Sequence, residues 1–227
     1  MAQCLGGALG FLSAERPSVV AHSLLLRAKE TAWIASRYGK GSVDADAERG
    51  MLCHPLPSLK EVDLGSPAEG QSVESSRNDR YQTFAAWSLG DIDAVPGPPT
   101  NNRTERGESG RAVLERTNEA LHDLIQLASH HETRSIAAVS HSVFIRMLLA
   151  LVLDVPPAQA MVQFPQENGC INVLDVDLSS EKKRVVRRTS RVLGGRFSRA
   201  PQDFVLEVPR VSVVRMNEVR HLEGVLL

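Results

Sequence analysis

Three stretches of the chain hold residue types that could do chemistry. The first is Ser140-His141-Ser142, which separates the apolar run Ile136 to Val139 from a longer one, Val143 to Leu153, interrupted only by Arg146. A four-residue apolar run reads as a buried strand, and the longer one reads as a buried helix. Strand, polar tip and helix together place side chains at the carboxyl end of a parallel sheet. His141 then lies beside a helix N-terminus, where free backbone N–H groups favour an anion such as phosphate. A lone histidine in a turn is as readily a satisfied structural group, so the flanking residues have to decide.

The second stretch is Ser23 to Ala35, a helical pattern with Leu26, Ala28, Ala32, Ile34 and Ala35 available to a core. Arg27 falls at its start, where a cation opposes the helix dipole. Solvent relieves that cost for a surface arginine. A bound anion also relieves it, and the planar guanidinium grips phosphate or carboxylate at two points. The third stretch, Leu59 to Gly70, carries Glu61, Asp63 and Glu69 among glycines and a proline. It makes a poor helix and suits either a solvated loop or a site loop. It does not match the calcium-loop pattern, and no zinc-ligand spacing is legible.

A different chemistry can be read from Ala138 to Ser142, a relaxed small-x-Ser-x-small elbow. Ser140 would be the nucleophile, with Asp175 or Asp177 and then His221 following in Ser…Asp…His order. The glycines of that elbow and an oxyanion-loop motif are both lacking. This leaves a serine carboxylester hydrolase as the lesser alternative.

The elements that must position these groups follow in order. Residues 1–14 carry Leu5, Ala8, Leu9 and Leu12 on one helical face, and Ser18 to Ala21 is β-like. Residues 36–107 are loop-rich, with a helix-like stripe of Tyr81, Phe84, Trp87 and Leu89. Ser109 is an N-cap for a helix whose face is Leu114, Thr117, Leu121, Leu124, Ile125 and Ala128. Asp154 and Pro156-Pro157 end the helix after His141. Cys170 to Asp177 reads as a strand. The basic residues from Lys182 to Arg199 suit a charged edge strand rather than a polyanion site.

The chain has 227 residues, 42% hydrophobic and 23% charged, with a formal net charge of −1. That fits a single domain over 1–227 and offers no global attraction to nucleic acid or an anionic membrane. Cys4, Cys53 and Cys170 are sparse and odd in number, which fits a reducing compartment, and a cytoplasmic location is expected. No apolar run approaches the roughly 20 residues of a membrane span. The first dozen residues resemble a short signal-peptide core but lack its positive start.

Several separated pieces together resemble the histidine phosphatase (phosphoglycerate mutase-like) superfamily. Ser23 to Ala32 resembles its "SPLxRAxxTA" motif, and Leu59 to Gly65 with Glu69-Gly70 its "LxExxxGxxEG" segment. Gly107-Glu108-Ser109 with Arg116 is similar to its "GES…R" helix start, and Val139 to Ser142 with Ile145-Arg146 to its "VSHGxxIR" motif. Gln166 to Ile171 stands where the family has a polar turn before a strand.

The resemblance implies an α/β fold, a three-layer α/β/α sandwich, and phosphomonoester hydrolysis or phosphoryl transfer, through a phosphohistidine, on a small phosphorylated metabolite without metal or cofactor. It implies that Arg27 binds phosphate, Glu61 gives a proton to the leaving oxygen, and His141 hydrogen-bonds the phosphoryl group. It also implies a nucleophilic histidine in an Arg-His-Gly motif on a first strand, and no such triplet occurs in the 227 residues. Val219-Arg220-His221-Leu222 has Arg-His with leucine in place of the glycine, at the wrong end of the chain for that motif. The fold is therefore expected to lack its first strand, with 180–227 only weakly assigned. A non-catalytic phosphate-binding protein is the main alternative. The motifs do not distinguish mutase from phosphatase, and oligomeric state is not legible.

Overall fold

The computed structural model describes residues 17–38, 51–65, 77–96, 107–178, 184–190 and 202–222, and the helix expected over 1–14 lies outside them. Its first strand, β1, is Val19–His22 and is buried throughout. The helix α1, Leu26–Tyr38, follows it, and β2 is Leu52–Pro55. Next come a 3-10 turn, Pro57–Leu59, and α2, Arg77–Ser88. Then α3 spans Gly110–His130, β3 Ile136–Val139, α4 Ser142–Leu153 and α5 Pro157–Gln163. The remaining strands are β4 Ile171–Asp177, β5 Arg184–Ser190, β6 Gln202–Val208 and β7 Arg210–Glu218, before a 3-10 turn at Arg220–Leu222.

Strands β2, β1 and β3 form a parallel sheet in that order. Val19 to His22 pairs residue by residue with Leu52 to Pro55 on one side and Ile136 to Val139 on the other. Side chains alternate across β1, as a strand requires. Val19 and Ala21 pack with Ala120, Leu127 and Phe144 of α3 and α4, while Val20 packs with Ala32 of α1 and Ala137. Helices on both faces make the α/β/α sandwich. Two further antiparallel pairs, β4 with β7 and β5 with β6, pack against the larger core built on α3 and α4. Among the described residues β3 pairs only with β1, and β4 only with β7.

Most local expectations have a visible cause. Ser109 caps α3, its hydroxyl accepting from the Ala112 amide at 3.2 Å. Asp154 ends α4 in the left-handed conformation, φ 57°, and Pro157 then opens α5, since a proline is tolerated in a first turn. Trp87 of the α2 stripe is buried and sends its indole N–H to the Ala94 carbonyl at 2.9 Å. Leu89 lies past the end of that helix and is exposed. The Tyr81 side chain lies outside those described.

Two expectations are corrected. Leu26 is 67% exposed, because α1 rests on the sheet through Ala28, Ala32 and Ala35, and Leu26 precedes that stripe by about 200° of helix turn. Residues 52–55, expected as loop, form β2, an outer strand of the described sheet with Leu52 and Pro55 exposed, because the ladder with β1 holds a strand that shows no period-two pattern of its own. Of the basic segment, Arg184 to Ser190 pairs with one strand among the described residues, β6, and the rest lies outside them.

Candidate functional site

The carboxyl ends of β1, β2 and β3 bring the chemistry-bearing residues together. The Ser23 amide donates to the Val139 carbonyl at 3.1 Å and the Leu56 amide to the His22 carbonyl at 2.8 Å, so the three exits from the sheet stay in register. His141 leaves β3 as the N-cap residue of α4, without a side-chain cap bond. Only 6% of it is exposed, and its Nε2 has no hydrogen-bond partner among the described residues. Buried polar atoms are rarely left so. Burial, followed by the nearby charges of Arg27 and Arg116, pushes the imidazole down to about 4. It is therefore neutral at neutral pH, and it senses two cations from two different helices.

Arg27 stands in the first turn of α1, exposed, with its charge directed at His141. Glu61 reaches the other side of the same corner. Its carboxylate accepts from the Phe144 amide at 3.1 Å, the Val143 amide at 3.4 Å and its own neighbour Val62 at 3.0 Å. It thus serves as the N-terminal cap of α4, the position where the sequence suggested an external anion. Arg27, Glu61 and His141 do converge, although Glu61 arrives holding the helix.

Arg116, whose role the sequence left open, fixes the loop that carries Glu61. Its Nε and Nη2 donate to the two Glu108 carboxylate oxygens at 2.8 and 2.7 Å, and Nη1 donates to the Ser58 and Lys60 carbonyls at 2.9 and 2.8 Å. Glu108 also accepts from the Asp63 amide at 3.0 Å. Burial pushes the Glu108 carboxyl up, but the Arg116 and Asp63 hydrogen bonds and the Arg116 and Lys60 charges outweigh it and hold the group below its usual value. Gly107 permits this contact, because a Cβ there would lie 2.4 Å from the Asp63 carbonyl oxygen. The Gly-Glu-Ser triplet thus divides its work: close approach, ion pair, helix cap. A signal for Arg116 was present, since it lies eight residues after Glu108, about two helical turns.

The Ser140 elbow is not assembled as a triad. The Ser140 hydroxyl donates to the Leu59 carbonyl at 2.8 Å, and His221 Nε2 pairs with the Gly169 carbonyl at 2.9 Å. No group of three or more His, Cys, Asp or Glu residues suited to a metal occurs among the described residues, and none of their helices is long and apolar enough to cross a membrane.

An α/β sandwich with a histidine, an arginine and a carboxylate at the carboxyl edge of its parallel sheet defines the class of the protein as α/β. The model for the histidine phosphatase superfamily, branch 1, matches residues 1–189, and the chain belongs to that superfamily. Comparison with curated proteins finds no match. Among solved structures, the fold is similar to a mycobacterial glucosyl-3-phosphoglycerate phosphatase with VO3, at TM-score 0.60 and 20% identity over 96% of this chain and 83% of that one. It is also similar to a phosphoserine phosphatase mutant from Entamoeba histolytica with phosphoserine, at 0.58 and 18% over 97% and 82%. The alpha-ribazole phosphatase of Shigella flexneri gives 0.53 and 22% over 78% and 75%.

Proposed function

We propose that the chain binds and hydrolyses a small phosphomonoester, with transfer of the phosphoryl group to another acceptor as the variant chemistry of the same site. The observation that carries this reading is the buried Nε2 of His141, unpartnered among the described residues and under the charges of Arg27 and Arg116 at a helix N-terminus. A neutral imidazole there donates to a phosphoryl oxygen, Arg27 neutralises its charge, and Glu61 supplies a proton to the leaving oxygen. The three named roles are the reading's own. They require Glu61 to exchange one of its bonds to α4 for the departing oxygen.

Phosphorylated substrates of several kinds stand in the names of the structural neighbours, which supports the class and leaves the substrate open. Turnover of p-nitrophenyl phosphate and of a panel of phosphorylated metabolites tests the reading. Vanadate should inhibit, and His141→Ala should lower kcat/KM by at least about 100-fold, the usual range for loss of a transition-state donor. Turnover that is insensitive to both would refute it. A second reading, phosphate binding without turnover, is favoured by one sequence fact: the 227 residues contain no Arg-His-Gly. It predicts phosphate affinity that falls in Arg27→Ala with no hydrolysis at any substrate concentration.

A further inference from the structure

Three consecutive leucines stand exposed beside Arg27, and the reading above gives them no task. Leu24, Leu25 and Leu26 are 58%, 38% and 67% exposed. Single exposed apolar residues are ordinary on a protein surface, whereas a contiguous run of large ones calls for an occupant. The run is bracketed by two ties to the His141 corner. On one side the Ser23 amide donates at 3.1 Å to the carbonyl of Val139, two residues before His141. On the other, the charge of Arg27 reaches His141. No leucine of the run is more than two Cα steps, about 7.6 Å, from Ser23 or Arg27.

The backbone fixes which way the run faces. The Leu25 amide donates to the Ser23 hydroxyl at 3.3 Å, and the Leu25 carbonyl accepts from the Ala28 and Lys29 amides at 2.9 and 3.1 Å. Ala28, Ala32 and Ala35 are the buried side of α1, which turns Leu26 to the outside. Trp33, seven residues on, falls within about 20° of Leu26 around the helix and roughly 10 Å further along it. It is half exposed, with the Arg37 guanidinium 3.9 Å from its ring centroid. Lys29 and Glu30, both exposed, fall on either side of the line from Leu26 to Trp33. The result is an apolar track with a charged rim, and it begins beside the cation that the phosphate reading assigns to the ligand.

We propose that this track takes the apolar part of the ligand, so that the substrate is a phosphomonoester of a chain-like apolar alcohol. The inference rests on the phosphomonoester reading above and names the substrate class of the same site. The phosphate sits at Arg27 and His141, and the hydrocarbon runs outward over Leu24 and Leu26 towards Trp33. A single soluble amphiphile suits the track better than a lipid surface does. Glu30 stands at its edge, and a formal net charge of −1 gives the chain no pull towards an anionic membrane.

The test is titration calorimetry of the full chain with n-alkylphosphonates, from methyl to octyl, below the concentrations at which they form micelles. A phosphonate keeps the anionic head and has no ester bond to break, so affinity is read apart from turnover. The proposal expects Kd to fall by about 2-fold per added methylene, as for a chain roughly half buried along its length. In the double variant Leu24→Ser/Leu26→Ser the preference for octyl over methyl should shrink by at least about 10-fold. Leu89→Ser, which removes a similarly exposed leucine past the end of α2, should keep it. Affinity independent of chain length, or a preference that survives the double variant, overturns the proposal and leaves phosphomonoester hydrolysis standing. So does a chain-length effect seen only above the micelle concentration, or only with vesicles of phosphatidylcholine and phosphatidylserine, which would make the track a lipid-surface contact. No binding of any phosphonate, together with no turnover of p-nitrophenyl phosphate, overturns both. The chain-length series is read on the wild type, so its outcome stands even if the double variant fails to fold.

Discussion

Two polar clusters flank Glu61, and they are built on opposite terms. In one, the Arg116 guanidinium meets both oxygens of Glu108 and two main-chain carbonyls, and Glu108 takes an amide as well. In the other, the His141 ring is buried and its Nε2 is left without a partner among the described residues. A satisfied buried network fixes geometry, whereas an unsatisfied atom costs stability unless something outside the chain completes it. The contrast separates what holds the Glu61 loop from what is proposed to meet a substrate, although the two lie close enough for Arg116 to bias the His141 proton.

The contrast breaks first at Arg116. Arg116→Met leaves the Glu108 carboxylate without its cation at a site where both side chains are under 20% exposed. A loss of about 3 kcal/mol is expected from stranding one member of a mostly buried pair. Denaturant titration should register it, and adding Glu108→Gln should restore part.

His141 behaves differently, and its effect follows pH. The folded-state value of about 4 lies below the unfolded value near 6.5. At pH 7 both states are neutral and the ring adds no linkage term. Between pH 6.5 and 4 the unfolded chain takes a proton that the folded one refuses, so stability falls with pH, by up to about 3 kcal/mol below pH 4. Melting curves of wild type and His141→Asn should therefore run in parallel above pH 7 and diverge below 6, the wild type losing more. Parallel curves throughout would show that the ring is not held neutral.

Gly107→Ala probes the clamp from its backbone side. The added methyl would meet the Asp63 carbonyl at 2.4 Å, and main chain cannot yield as a side-chain tip does. Overpacking of this kind costs about 2 kcal/mol, read as a lower denaturation midpoint, and should raise KM by loosening the Glu61 loop. Smallest is Ser109→Ala, which removes the α3 cap and about 1 kcal/mol, with kcat unchanged.

The legible part of this molecule is the part whose cause is local. Ser109 as a cap, the strand at 136–139 and the helix after His141 could be read because a few adjacent residues dictate each one. The convergence of Arg27, Glu61 and His141 was legible only through an ordered set of motifs, since no local pattern connects residues on three elements. Arg116 resisted because its carbonyl partners, at Ser58 and Lys60, are more than fifty residues away and carry no side-chain signature. Strand β2 resisted because four residues ending in proline show no alternation.

The central claim is that His141 Nε2 completes its hydrogen bonding with a phosphate-like anion. Nitrogen-15 spectra of histidine-labelled protein, with the His141 resonance assigned through His141→Asn and followed from pH 3.5 to 8 with and without vanadate, test it most directly. The free ring should stay neutral until about pH 4. An adjacent anion should raise that midpoint by at least about one unit and shift the Nε2 resonance. A His141 midpoint and Nε2 resonance that saturating vanadate leaves unmoved would contradict the account.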